Sequence, residues 1–180
     1  MKTPILILEG ADCTGKTTLA RALCKALNGA YLRSEGYPAL CKPEVMSVYY
    51  RAVRNLVFEN AAVQGRPVVL DRHWPSQVVY GAVLNRPIYD YRADMDWFTG
   101  VNAVYIYCQG NNLSREWQRN HKDTTGAQYS EEQYELLLQG YDTLFNGATL
   151  DYDVKRRVIP YSVGKFSVDD VLEMVKEKYV

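Results

Sequence analysis

A glycine-bounded loop near the start of this 180-residue sequence carries its clearest chemical signal. Residues 10–17 read Gly-Ala-Asp-Cys-Thr-Gly-Lys-Thr, which fits the pattern G-x-x-x-x-G-K-[ST] between an apolar run and a helical segment. Loops of this kind bind nucleotide phosphates, because their backbone N–H groups and the positive end of the helix dipole point toward the anion. The pattern therefore predicts ATP binding by the following residues: Gly10, Ala11, Cys13, Thr14, Gly15, Lys16, Thr17 and Thr18.

Two residues of this loop and two near position 70 have side chains that could act on the bound phosphates. Lys16 can reach the β- and γ-phosphate oxygens, and the hydroxyl of Thr17 can hold Mg²⁺. Asp71 ends the apolar run Val-Val-Leu-Asp, where a phosphate-loop enzyme carries its second magnesium-side acid, so Thr17 and Asp71 are the predicted metal ligands. Arg72 follows at once, and its planar guanidinium suits bidentate phosphate binding.

Two arginines in the second half of the chain mark a candidate lid. Arg115 and Arg119 are four residues apart and would share one helix face. Arginines that a closing segment brings to the transferring phosphoryl group neutralise its charge, and closure also excludes water. We therefore predict a lid over about residues 113–128.

Short apolar runs alternate with segments of helical period along the whole chain. The predicted strands are 5–8, 31–33, 68–71, 101–108 and 157–159. The predicted helices are 15–27, 43–64, 76–84, 113–119, 131–145 and 168–179. This alternation predicts a parallel sheet with helices on both faces, whose ligands bind at the carboxyl ends of the strands, where the motifs above fall.

Composition and charge favour an ordinary globular enzyme. Lys and Arg together number 21, as do Asp and Glu, so the formal net charge is zero and a broad electrostatic surface for nucleic acid is not expected. The four cysteines form no CxxC pair, which is typical of free thiols in a reducing compartment. The first apolar run is too short for a signal peptide, and no stretch is long enough to span a membrane. We expect a single domain over residues 1–180 in the cytoplasm.

Three stretches of the sequence resemble the thymidylate kinase family of nucleoside and nucleotide kinases. Residues 8–17 resemble that family's F-E-G-x-D-G-x-G-K-[ST], and residues 71–80, which read Asp-Arg-His-Trp-Pro-Ser-Gln-Val-Val-Tyr, resemble its D-R-Y-x-x-S-x-x-A-[YF]. The lid arginines and the later pair Gly140 and Tyr141 follow its order of elements. The resemblance implies an α/β, three-layer P-loop NTPase fold with a five-stranded parallel sheet in the order 2-3-1-4-5 and a short lid. It also implies a homodimer.

The resemblance assigns roles on the acceptor side. Asp12 matches the loop aspartate that contacts the acceptor sugar, Arg72 matches the arginine that binds the acceptor phosphate, and Tyr80 matches an aromatic residue of the acceptor pocket. The family also places an aromatic residue and an arginine four positions apart before the second motif, where they contact the base. Tyr50 and Arg54 have that spacing.

Arg51 competes with Arg54 for the contact with the base, because ungapped counting back from the second motif favours Arg51.

The identity of the acceptor is open between two interpretations. The first is a small-molecule nucleotide, a thymidylate-like deoxynucleoside monophosphate. The second is a hydroxyl group of a deoxynucleoside or, as in related phage enzymes, of 5-hydroxymethyluracil in DNA. For that hydroxyl kinase, Glu35 resembles the carboxylate that deoxynucleoside kinases use as a base. The candidate catalytic residues are Lys16, Asp12, Arg72, Arg115, Arg119 and Glu35.

Overall fold

The computed structural model describes residues 3–34, 42–120, 129–147 and 150–179, over which strands and helices alternate. The strands are β1 (Ile5–Glu9), β2 (Ala30–Arg33), β3 (Val68–Asp71), β4 (Val104–Cys108) and β5 (Val158–Tyr161). The helices are α1 (Lys16–Ala26), α2 (Pro43–Phe58), α3 (Trp74–Val83), α4 (Arg92–Gly100), α5 (Asn112–Asn120), α6 (Glu131–Asn146), α7 (Tyr152–Lys155) and α8 (Val168–Tyr179). Within this described part of the chain, no helix has both the length and the apolar character needed to cross a membrane.

The five strands form one parallel sheet in the order β2-β3-β1-β4-β5, which confirms the predicted order. In the register of the central strands, Leu8 of β1 lies between Asp71 of β3 and Ile106 of β4. The carboxyl ends of β1 and β3 are therefore level with each other. This alignment brings the loop after β1 next to the residues after β3.

Alternate residues of each strand enter two separate cores. One core lies under α2, α3, α4 and α6, and the other lies under α1 and α8. From β1, the first core receives Ile5 and Ile7, whereas the second receives Leu6 and Leu8. Because successive side chains of a strand point to opposite faces, a strand buried on both faces is apolar throughout, as β1 is. Helices on both faces of the sheet confirm the predicted three-layer architecture.

The structure differs from the predicted elements in the middle of the chain. The sequence analysis missed α4 and α7, and it began the fourth strand at residue 101 instead of Val104. Residues 101–103 instead close α4, where the amide of Ala103 donates to the carbonyl of Phe98 at 3.0 Å. The segment predicted as one helix to residue 64 is α2 followed by a π-helix, Glu59–Val63. Helices of four and nine residues have too few turns for a clear apolar period, so they are easily missed.

Candidate active site

The loop between β1 and α1 needs glycine at two positions. Gly10 has φ of 146°, and a Cβ there would lie 2.3 Å from the carbonyl oxygen of Cys108. Gly15 caps α1 with φ of 82°, and a Cβ there would lie 2.6 Å from Val163. The loop thus passes close to a backbone carbonyl at Gly10 and to a side chain at Gly15, and both positions have the positive φ that favours glycine. The amides of the first turn of α1, Lys16 to Thr18, have no intrahelical partner and are available to an anion.

The ammonium group of Lys16 lies inside the loop. It donates to the carbonyl of Ala11 and, at 3.3 Å, to the hydroxyl of Thr14, which itself donates to the carbonyl of Ala11 at 2.8 Å. Burial, with a further contribution from the Arg72 cation, lowers the pKa of Lys16 to about 8. A phosphate anion in this loop would reverse that effect, because an opposite charge nearby favours the protonated amine. Cys13, with φ of 61°, completes the turn.

Thr17 and Asp71, the predicted metal ligands, are in direct contact. The hydroxyl of Thr17 donates to Oδ2 of Asp71 at 2.7 Å, and the hydroxyl of Tyr31 donates to the same oxygen at 2.9 Å. Burial and the Asp71 carboxylate raise the pKa of Tyr31 to about 12, so it stays a donor. A hydroxyl and a carboxylate oxygen fit Mg²⁺, which prefers oxygen ligands and takes the others from phosphate and water. The sequence analysis gave Tyr31 no role.

Arg72 lies in the left-handed region of backbone conformation, with φ of 72°, which is uncommon for a residue other than glycine. Its Nη1 donates to the carbonyl of Gly10 at 3.1 Å, to Ser76 at 3.0 Å and to the hydroxyl of Tyr141 at 3.1 Å. Its Nη2 donates to Asp12, in an ion pair. These contacts fix both ends of the guanidinium fork, so its orientation is well defined.

Asp12 connects Arg72 to the aromatic residues predicted for the acceptor side. Its Oδ2 accepts a hydrogen bond from the hydroxyl of Tyr80 at 2.9 Å, and its backbone carbonyl accepts one from Tyr134 at 2.7 Å. The Arg72 guanidinium also lies 5.1 Å from the centre of the Tyr80 ring. Burial alone would raise the pKa of Asp12, but the cations Arg72 and Lys16 outweigh it and lower that pKa below its usual value. The structure therefore brings Asp12, Arg72, Tyr80 and Lys16 together.

Three residues around Arg72 were not among the candidate site residues. Glu9 is fully buried and accepts hydrogen bonds from the backbone amide of His73, from Ser76 at 2.7 Å and from Tyr141 at 3.4 Å. Burial raises the pKa of Glu9 to about 7. Glu9, Ser76 and Tyr141 all lie in stretches that carry the family resemblance, which was the one available signal.

The structure corrects the interpretation of Tyr50 as a base-stacking residue. Tyr50 is 1% exposed, and its ring is stacked on Tyr89 at 4.8 Å and lies edge-on to His73 at 4.6 Å. A base could reach the face that Tyr89 covers only by displacing Tyr89. Arg54 is also engaged, since its Nε lies 2.8 Å from Oδ1 of Asp94.

Arg51, the competing candidate, is exposed on the surface of α2. Arg54, in contrast, is only partly exposed, and besides its ion pair its Nη1 donates to the carbonyl of Ala93 at 3.0 Å. His73 is fully buried beside Phe98 and Tyr50, and burial, with a smaller effect of Arg54, lowers its pKa to about 3. A neutral imidazole at this position is a packing group.

The two predicted lid arginines both lie on α5 and pair with carboxylates of α6. Arg115 donates to Glu135 from Nε at 2.6 Å and from its terminal nitrogen at 2.9 Å, and Arg119 pairs with Glu131. Neither arginine contacts the phosphate loop among the described residues. The rest of the predicted lid, residues 121–128, and the candidate base Glu35 lie outside the described residues.

Comparison with known proteins finds similar folds among solved structures but no match to a sequence family. No protein-family model and no curated protein matches the sequence. Among solved structures, it is similar to the YorR protein of Bacillus subtilis in complex with phosphorylated GDP, at a TM-score of 0.67 and 18% identity over 96% of this chain and 94% of that one.

Two further structures extend the comparison. Thymidylate kinase from Candida albicans matches at a TM-score of 0.65 and 15% identity over 98% of this chain and 90% of that one. Deoxyadenosine kinase from M. mycoides with bound dATP matches at a TM-score of 0.57 and 16% identity over 98% of this chain and 100% of that one. The five-stranded order 2-3-1-4-5 and the surrounding helices thus give this chain the P-loop kinase fold of its structural neighbours.

Proposed function

We propose that this protein is an ATP- and Mg²⁺-dependent kinase that phosphorylates a thymidylate-like pyrimidine deoxynucleoside monophosphate. The observation that carries the proposal is the ion pair between Arg72 and Asp12, because it joins a phosphate-binding arginine to the donor loop itself. Donor and acceptor phosphates bound at these two elements would be neighbours, which in-line phosphoryl transfer requires. The likeness to thymidylate kinase supports the same acceptor class.

In the proposed reaction an oxygen of the acceptor phosphate attacks the γ-phosphorus of ATP, and the bond from that phosphorus to the β-phosphate oxygen breaks. The attacking oxygen is already anionic, so a strong base is not required and positioning with charge neutralisation suffices. Lys16 and the arginines of α5 would neutralise the transferring group, while Arg72 holds the acceptor. Mg²⁺, when bound by Thr17 and Asp71, would neutralise charge on the β- and γ-phosphates.

The deciding experiment is an acceptor screen. The protein is incubated with ATP, Mg²⁺ and each deoxynucleoside monophosphate, and diphosphate product is separated by ion-exchange chromatography. We expect product with thymidylate or a related pyrimidine nucleotide, and none from Lys16→Met. The matched control is Lys25→Met, on the exposed side of α1, which should retain activity. Equal turnover by both variants would rule out phosphate-loop catalysis.

A hydroxyl kinase is the second candidate, and the likeness to deoxyadenosine kinase favours it. A neutral hydroxyl benefits from a general base, for which Glu35 is our candidate. Glu35→Ala should then reduce turnover of a deoxynucleoside on the order of a hundredfold or more, without change in ATP affinity. If the acceptor were 5-hydroxymethyluracil in DNA, binding would also weaken steeply with salt.

We also propose that the protein acts in the cytoplasm as a single-domain homodimer. Exposed apolar side chains on the outward side of α2 and its π-helical extension support the dimer: Val48, Leu56 and Val63. Exposed apolar patches of this kind commonly mark protein interfaces. Sedimentation should give twice the chain mass, and Leu56→Glu should shift it toward the monomer.

A further inference from the structure

A fully buried carboxylate at the end of β1 contacts the two hydroxyls that hold one nitrogen of Arg72. Oε2 of Glu9 accepts from Ser76 at 2.7 Å and from Tyr141 at 3.4 Å, and those two hydroxyl oxygens lie 2.7 Å apart. Both oxygens also accept from Nη1 of Arg72, at 3.0 and 3.1 Å. Glu9 and Arg72 thus face each other across two hydroxyl groups.

The direction of these hydrogen bonds follows from the number of protons. A hydroxyl has one hydrogen to donate and lone pairs with which it accepts. Since Ser76 gives its hydrogen to Glu9, its lone pairs are left for Arg72 and for the hydroxyl of Tyr141. The single hydrogen of Tyr141 goes to Ser76, at 2.7 Å, or to the more distant Glu9 oxygen, at 3.4 Å, and in either case the Tyr141 oxygen is free to accept from Arg72. When Glu9 is ionised, its carboxylate only accepts hydrogen bonds and therefore fixes both hydroxyls as acceptors toward the guanidinium.

Arg72 needs such support because its backbone is in an uncommon conformation. A non-glycine residue in the left-handed region is strained and persists only where its surroundings over-determine it. The carbonyl of Gly10 and the carboxylate of Asp12 hold other faces of the same side chain. Asp12 is the carboxylate of this set and is 29% exposed, so it is the ionic partner of Arg72 that a bound ligand can displace.

We infer that Glu9 is a positioning residue, which acts through the hydroxyls of Ser76 and Tyr141 to hold the Arg72 guanidinium in the orientation that receives the acceptor phosphate. This inference rests on the proposed function. The KM for ATP should not depend on Glu9, because neither hydroxyl contacts Lys16, Thr17 or Asp71 among the described residues. If Glu9 had a purely structural role, for example through the hydrogen bond that it accepts from the amide of His73, its loss would raise the KM for both substrates equally.

Two variants separate these roles by kinetics. Glu9→Gln puts an amide donor against the hydroxyls and so reverses the bond direction, whereas Tyr141→Phe removes one hydroxyl and keeps the ring. The control is Tyr107→Phe, since that ring stacks on Tyr141 at 6.5 Å and its hydroxyl has no partner among the described residues.

We expect the acceptor KM to rise roughly tenfold or more in Glu9→Gln and in Tyr141→Phe, as for a lost bond to a charged group. The KM for ATP should stay within about twofold, and the double variant should be no worse than Glu9→Gln alone. Tyr107→Phe should match the unaltered protein. Equal rises in both KM values, or no rise, would overturn the inference.

A second measurement tests the inference without turnover. Arg72 Nη protons are observed by ¹⁵N NMR, with their signals assigned by comparison with Arg72→Lys. Their exchange with solvent should accelerate about tenfold or more in Glu9→Gln and remain unchanged in Tyr107→Phe. Unchanged exchange in Glu9→Gln would overturn the positioning role even if the enzyme is active. Failure of the unaltered protein to phosphorylate any acceptor would instead count against the proposed function, and the NMR result would still decide the role of Glu9.

Discussion

Arg72 and Asp12 form an ion pair between Nη2 and Oδ1 that connects the residue after β3 to the phosphate loop after β1. The remaining guanidinium nitrogen, Nε, has no hydrogen-bond partner among the described residues, whereas Nη1 already has three acceptors. An incoming phosphate can therefore bind through Nε and Nη2 if it displaces the Asp12 carboxylate. Under the proposed function, one side chain would therefore couple acceptor binding to the position of the loop aspartate.

The first prediction concerns the planar shape of the Arg72 guanidinium. Arg72→Lys keeps the charge but replaces a rigid fork with a point charge, which cannot bind a phosphate bidentately while it also contacts Ser76 and Tyr141. We expect the acceptor KM to rise on the order of tenfold to a hundredfold, with the KM for ATP nearly unchanged. Steady-state kinetics with each substrate varied in turn measures this. Arg92→Lys, at an exposed pair with Asp90, is the control, and equal behaviour of the two variants would contradict the prediction.

The second prediction concerns pH and the buried carboxyl group of Glu9. Its pKa is about 7 in the folded protein against 4.5 for an ordinary glutamate, so between these values the folded state binds the additional proton. Stability from this group therefore falls as pH rises through that window, by roughly 2.5 kcal/mol between pH 5 and pH 8. Glu9→Gln should lack this contribution.

Urea unfolding of both proteins at several pH values gives the difference directly. The free energy of unfolding of the unaltered protein, relative to Glu9→Gln, should decline toward higher pH and level off above about pH 8. Groups with other pKa values cancel in this difference, which is why the variant is needed. A difference independent of pH would mean that Glu9 titrates normally in the folded protein.

How much of this site could be predicted from the sequence depends on whether the contacts of each residue lie close to it in the chain. Gly10, Gly15 and Lys16 were predicted because a phosphate loop needs those residue types at fixed spacing within one strand-loop-helix unit. Glu9 was missed because its partners lie 67 and 132 positions later in the chain, at Ser76 and Tyr141. Spacing within a motif carries no information on such distant contacts.

The sheet was predicted better than the helices for a related reason. Continuous apolar runs identify strands buried on both faces, as in β1 and β3, and their alternation with helices favours a parallel sheet. Tyr50 was misread because a four-residue spacing places two residues on one helix face without saying what that face meets. In the structure that face of α2 meets Tyr89 and Asp94, which belong to a segment whose helix was missed.

The third prediction follows from this correction of Tyr50. Because Tyr50 is 1% exposed and packed against other aromatic rings, Tyr50→Ala should leave a cavity and lower the free energy of unfolding by about 3–5 kcal/mol. Urea unfolding monitored by circular dichroism measures this. Tyr152→Ala, at a ring that is 76% exposed, should change stability by less than about 0.5 kcal/mol. A loss below about 1 kcal/mol for Tyr50→Ala would return this residue to the list of ligand contacts.

The last prediction separates two roles of Arg115. Its pair with Glu135 is about a third exposed on both sides, so it contributes only about 0–1 kcal/mol to stability. Arg115→Ala and Glu135→Ala remove the same ion pair, but only the first removes a cation that could reach the transferring phosphoryl group. We expect kcat to fall on the order of a hundredfold or more in Arg115→Ala, since loss of an arginine at this charge is costly. Glu135→Ala should keep kcat within a few fold, because it frees the guanidinium and leaves its charge in place. If the two variants have the same kcat, Arg115 serves only the contact between α5 and α6, and the cation at the γ-phosphate must come from another residue.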